Sequence, residues 1–196
     1  TRTRRLDGRR ALLVVPGARM TLDGVGPLGP PCDDALMSSV SKEDFKSVMG
    51  SFAATVTVVT TVDAEGRKWG LTATAFTSLS LDPPLCLVCI DKRAGSHGAF
   101  AASQKFAVNM LTGEQEDLSN NFASRKDDKF EGIAHSAGEE TGCPILEGAL
   151  ATMECKVTHV MPGGDHDIFV GELLSTSVAE GSPLLYFRGK YRGLAE

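Results

Sequence analysis

Between Trp69 and Asp91 the chain reads WGLTATAFTSLSLDPPLCLVCID, and apolar and hydroxyl side chains follow one another with a period of two. On an extended backbone Thr72, Thr74, Phe76, Ser78 and Ser80 share one face, while Leu71, Ala73, Ala75, Thr77, Leu79 and Leu81 share the other. This predicts one strand, stopped by Asp82-Pro83-Pro84. The run LCLVCI then reads as a second strand, apolar on both faces and fully buried. Small hydroxyl side chains on one strand face leave room for a flat ligand against backbone amides. The same threonines also suit an ordinary pleated surface.

The rest of the chain falls into short elements around this stretch. Ser41 followed by Glu43 and Asp44 predicts a capped helix, with Phe45, Val48, Met49 and Phe52 as a buried stripe. TVTVVTTV (55–62) reads as a strand that turns through Asp63-Ala64-Glu65-Gly66 into the stretch at Trp69. Ser96 is placed to cap a short helix from His97, with Lys92 and Arg93 beside it as a phosphate-binding pair. KFAVNML (105–111) predicts a strand, and Thr112 to Gln115 a capping box for a helix bearing Leu118 and Phe122 and ending near Ala123. SRKDDKFEGI reads as a loop over a cleft. ALATMECKVTHVM (149–161) and HDIFVGELLSTSV predict a long hairpin, and PLLYFRGKYRGL a strand that closes a barrel. The fold class is therefore mainly β: an antiparallel Greek-key barrel with two or three short helices. No GxGxxG follows any strand, which disfavours a Rossmann nucleotide fold.

Composition narrows the function. The 196 residues carry a net charge of −5 with only 6% aromatic side chains, a poor nucleic-acid surface. No apolar run approaches the roughly 18–20 residues of a membrane span. Cys86 and Cys89 have CxxC spacing, but positions three apart on a strand face opposite ways, so they read as small buried hydrophobes. No histidine pair or second CxxC suggests a metal site. Residues 1–36 hold six arginines against four aspartates and no sustained periodicity. They are expected to be a disordered or non-native segment, with Met37 a natural start and residues 37–196 the folded domain.

GLTATAFTSLSLDPPLCLVCID resembles the signature of the flavin reductase family with an FMN-binding split barrel. FAVNML (106–111), DKFEGI (128–133), GDHDIFVGEL (164–173) and PLLYFRGKYRGL (183–194) continue the likeness in order, over about residues 41–194. It is most similar to the small reductase component of two-component aromatic monooxygenases. The resemblance implies an NAD(P)H:flavin oxidoreductase that passes hydride from NADH or NADPH to FMN or FAD. The reduced flavin would go to a separate monooxygenase. It implies a split β-barrel, a homodimer and a cytoplasmic location. Thr72, Thr74 and Ala75 would line the flavin ring, Cys89, Ile90 and Asp91 the ribityl chain, and Ser96 the phosphate. Phe122 and Ala123 would pack on the far portion of the cofactor, while His166, Gly189 and Tyr191 border the nicotinamide. No side chain need act as acid, base or nucleophile, because the cofactors carry the hydride chemistry. Two other readings stand beside this one: a flavin- or haem-binding module without turnover, and a pyridoxamine-phosphate-oxidase-like flavin oxidase.

Overall fold

The computed structural model describes residues 39–194, and most of its strands join one seven-stranded antiparallel sheet. In chain order the elements are α1 (Lys42–Gly50), β1 (Ala54–Thr55), β2 (Thr57–Val62), β3 (Lys68–Ala73), β4 (Phe76–Leu81) and β5 (Pro84–Asp91). Then come α2 (His97–Ser103), β6 (Lys105–Met110), α3 (Glu116–Ala123), β7 (His135–Ala137) and β8 (Pro144–Leu146). The long hairpin β9 (Ala151–Gly163) and β10 (His166–Val178) precedes β11 (Leu185–Phe187) and β12 (Lys190–Arg192). The large sheet runs β3-β2-β6-β9-β10-β5-β4.

The expected single strand from Trp69 to Leu81 is two strands. The alternation breaks at Thr74 and Ala75, both exposed, and the two halves lie at opposite edges of the sheet. A straight strand could not pair with β2 at one end and β5 at the other. The small side chains at the break let the chain turn a corner that joins the edges. There Cys89 donates its amide to the Ala75 carbonyl at 2.9 Å. The result is a split β-barrel, as the family resemblance implies; the pattern of short strands predicts an antiparallel barrel without the split.

Three further expectations are corrected. PLLYFRGKYRGL does not close the barrel: β11 and β12 form a tight hairpin in a separate sheet, β1-β11-β12. Its turn is set by Arg188 and Gly189, with φ of 48° and 74°. The β5 run is not buried on both faces; Cys86, Val88 and Ile90 enter the core while Leu85, Leu87 and Cys89 are half-buried. The stripe on α1 is exposed rather than buried, with Phe45 at 60%, Val48 at 70% and Phe52 at 68% accessibility. Ser41 does cap α1, its Oγ accepting the Asp44 amide at 3.0 Å. A stripe supplies apolar area, but whether it is covered depends on what packs against it. Within the described chain nothing does.

The barrel core holds Val59, Val88, Ile90, Phe106 and Phe169. Gly171 is needed inside it, because a Cβ there would come within 2.5 Å of the Phe106 ring. A second cluster of Val58, Leu111, Phe122, Phe130 and Leu184 lies under α3. Among the described residues the buried side-chain polar atoms all have hydrogen-bond partners. Asn109 accepts the Leu146 amide at 2.8 Å and donates to the Val58 carbonyl at 3.1 Å, tying β8 to the sheet. No described helix is long and apolar enough to cross a membrane. The expectation for residues 1–36 lies outside the described residues.

Candidate functional site

The corner at Thr74–Ala75 opens into a cleft of about 940 Å³. The sheet ladders explain why. β3 stops pairing with β2 at Ala73, and β4 starts pairing with β5 at Phe76, so two residues are left between ladders. Neither Thr74 nor Ala75 donates its amide to another described backbone group, and the Thr74 hydroxyl has no described partner. Unpaired donors at the edge of a cleft of mixed polar and apolar lining suit a flat heteroaromatic ligand with acceptors along one edge.

Nine of the residues singled out in the sequence line this one cleft: Thr72, Thr74, Ala75, Cys89, Asp91, Ser96, Phe122, Ala123 and His166. Ile90 does not, since it is 1% exposed and packs in the core. Gly189 and Tyr191 also lie outside it. Tyr191 braces the cleft from behind, its hydroxyl 2.9 Å from Ser119 Oγ and donating to Asn120 Oδ1 at 3.0 Å on α3. The Thr72 hydroxyl is committed too, donating to the Ser119 carbonyl at 2.6 Å. Ser96 is buried but makes no side-chain capping bond.

Charges divide the cleft. On the side of β5 and β10, Arg93 holds Asp91 through two bonds, Nε to Oδ1 at 3.1 Å and NH2 to Oδ2 at 2.7 Å. These bonds keep the Asp91 carboxyl well below the usual carboxylate range. Lys92 turns away to the Gly164 carbonyl at 2.7 Å and to Asp167 at 3.4 Å, so the expected pairing of Lys92 and Arg93 around a phosphate is not assembled. His97 Nε2 also meets Asp167, at 2.9 Å, and His166 Nδ1 meets Asp165 at 2.7 Å. The His166 bond holds the Asp165 carboxyl below its ordinary value.

The opposite side was less visible in the sequence. Arg67, Lys68, Arg125, Lys126 and Lys129 all line the cleft, and none forms an ion pair among the described residues. Lys129 donates to the Phe122 carbonyl at 2.8 Å and to Gly70 at 3.3 Å, and burial pushes its ammonium pKa down. Phe122 stacks edge-on against Phe130 at 5.0 Å, filling space left by Gly70. The basic loop SRKDDKF was the one signal for this wall. Cys89 is no ready nucleophile, because burial raises its thiol pKa. The arrangement can bind, orient and exclude water; it contains no nucleophile–base pair.

The model of the flavin reductase like domain matches residues 49–195. The chain is 40% identical over 162 residues to the reductase subunit HsaB of a flavin-dependent monooxygenase from Mycobacterium tuberculosis, covering 81% of this chain and 86% of HsaB. It is 35% identical over 164 residues to the reductase component of a 4-nitrophenol monooxygenase from Rhodococcus opacus, covering 84% and 87%. Among solved structures, the Streptomyces globisporus NADH:FAD oxidoreductase SgcE6 in complex with NAD and FAD fragments superposes with a TM-score of 0.76. That pair is 36% identical over 79% of this chain and 93% of SgcE6. Of a longer Rhizobium meliloti relative, 39% identical, the chain spans about half the length, 47%.

Proposed function

The chain belongs to the flavin reductase like family, and from that premise we propose that it is an NAD(P)H:flavin oxidoreductase supplying reduced flavin to a separate monooxygenase. The observation that carries this reading is the corner at Thr74–Ala75, where two unpaired amides and a free hydroxyl face a cleft wide enough for stacked rings. Bound flavin and nicotinamide supply hydride transfer between their rings. The protein's part is alignment, with reacting atoms held at about 3–3.5 Å. Thr74 and the amides of Thr74 and Ala75 would fix the flavin edge and favour the charge that grows there on reduction. The Cys89 and Asp91 segment and Ser96 would follow the ribityl phosphate, and Phe122 with Ala123 would cover its outer part. His166, held by Asp165, would meet the nicotinamide, and Tyr191 and Gly189 would act through α3 and the turn behind it.

The folded domain in this reading is residues 37–196. FMN or FAD and NADH or NADPH are the substrates, and the location is the cytoplasm, where free nicotinamide and flavin are at hand. The exposed stripe of Phe45, Val48 and Met49 on α1, with Phe52 just past its end, supports a homodimer, because four large apolar side chains exposed together favour a partner surface. The test is to mix the protein with NADH and increasing free flavin and follow the nicotinamide absorbance. The expected rate rises with flavin and saturates; a protein that binds flavin without oxidising NADH overturns the proposal.

A further inference from the structure

His166 lines the cleft, but the turn that carries it is built of Gly163, Gly164 and Asp165, with Gly164 at a φ of 72°. Two successive glycines leave a turn free to sample many conformations unless something outside it takes hold. Asp165 cannot supply that hold: its carboxylate meets His166, yet it belongs to the same turn and its side chain is 76% exposed. The backbone ladders of β10 with β9 and β5 fix the strand and leave the turn beyond it to side chains.

The hold comes from behind. Asp167 is the next residue along β10, so its side chain leaves the strand on the face opposite to His166. Lys92 Nζ stands 3.4 Å from Asp167 Oδ1 and donates to the Gly164 carbonyl at 2.7 Å, and the Lys92 amide donates to the Asp165 carbonyl at 3.0 Å. His97 Nε2 lies 2.9 Å from the other oxygen, Asp167 Oδ2. None of Lys92, His97 and Asp167 lines the cleft. His97 opens α2 with its ring edge-on to Phe169 at 5.9 Å, and Phe100, one turn later, is buried in the barrel core. One carboxylate thus ties an exposed turn to an anchored helix.

We propose that Asp167 is a positioning residue: held by Lys92 and His97, it fastens the β9–β10 turn to α2 and so keeps His166 in the pose that meets the nicotinamide. It rests on the reductase reading, which gives His166 that task. A side chain held in place before its ligand arrives gives up less freedom on binding. Loss of Asp167 therefore falls on the nicotinamide and spares the flavin.

Steady-state kinetics on the full chain, with NADH and flavin varied separately, tests this. Asp167→Ala is expected to raise the apparent Michaelis constant for NADH by about two- to fourfold with flavin affinity unchanged. In a His166→Ala background the same change is expected to add nothing, because both remove one contact. Asp167→Asn keeps one acceptor oxygen, which can serve Lys92 or His97, and should fall between the two. Hydrogen–deuterium exchange gives a readout apart from turnover: amides of residues 163–167 should exchange faster in Asp167→Ala while those of β2 and β6 keep their protection. Additive losses in the double variant, equal losses for NADH and flavin, or unchanged exchange in the turn overturns the proposal. If Asp167→Ala does not fold, Lys92→Met, whose side chain is 41% exposed, carries the same comparison. An unaltered chain that oxidises no NADH removes the reductase reading, and the exchange result alone then decides whether Asp167 holds the turn.

Discussion

The two sides of the cleft use charge in opposite ways. At the cleft ends of β5 and β10 the charged side chains stand in ion pairs: Asp91 with Arg93, Asp167 with Lys92 and His97, Asp165 with His166. Along β3 and the end of α3 the cations outnumber the one carboxylate that lines the cleft there, Asp127, and form no ion pair among the described residues. A neutralised wall changes little in potential as ligands come and go, and does not trap a nicotinamide ring that enters neutral and, having given up hydride, leaves as a cation. An unneutralised wall holds anions, and its grip weakens with salt. One cleft therefore combines a permissive side with a retaining side.

The largest expected effect breaks the scaffold of the retaining side. A Cβ on Gly70 would lie 2.6 Å from the Phe122 ring and 3.3 Å from that of Phe130. Gly70→Ala should cost about 1–3 kcal/mol of stability through overpacking, read as a lower denaturant midpoint, and should weaken flavin binding as α3 is displaced. An unchanged midpoint would show that Phe122 moves freely. Next comes the corner between the two sides. Thr74→Val keeps shape and removes the free hydroxyl, so flavin affinity should fall by about 0.5–1.5 kcal/mol in a fluorescence titration while the fold is retained. Undiminished affinity would take Thr74 out of the flavin's contacts.

The smallest effect falls on the permissive side. His166→Ala should raise the apparent Michaelis constant for NADH by a few-fold, about 0.5–1 kcal/mol, and leave flavin affinity unchanged. Equal losses for both substrates would make His166 structural and erase the contrast between the walls.

Much of this was legible in the chain. The β2–β3 and β9–β10 hairpins, the Ser41 cap and the end of α3 at Ala123 follow from turn residues, capping groups and periodicity. The hydroxyl face of the stretch at Trp69 pointed to Thr72 and Thr74, and both line the cleft. The corner was hidden because Thr74 and Ala75 continue the alternation without interruption; only the demand that one segment serve two edges breaks it. Exposure of the α1 stripe was hidden for a related reason, since amphipathicity does not say what covers the apolar face. Arg67 and Arg125 lie 58 positions apart and share one wall only through the packing of α3 on β3. Nothing local could pair them.

The corner also orders how the molecule assembles. β2–β3, β4–β5 and β9–β10 are hairpins that close over short loops, whereas the ladder from Asp91 to His166 joins residues 75 positions apart. Distant pairings carry the greater loop-closure entropy and form late. Thr74 and Ala75 are therefore neighbours in sequence whose setting is complete only when the most distant strands of the sheet have met. Capture of flavin during refolding should trail the far-ultraviolet circular dichroism signal, and occupancy of the cleft then reports that the barrel has finished folding.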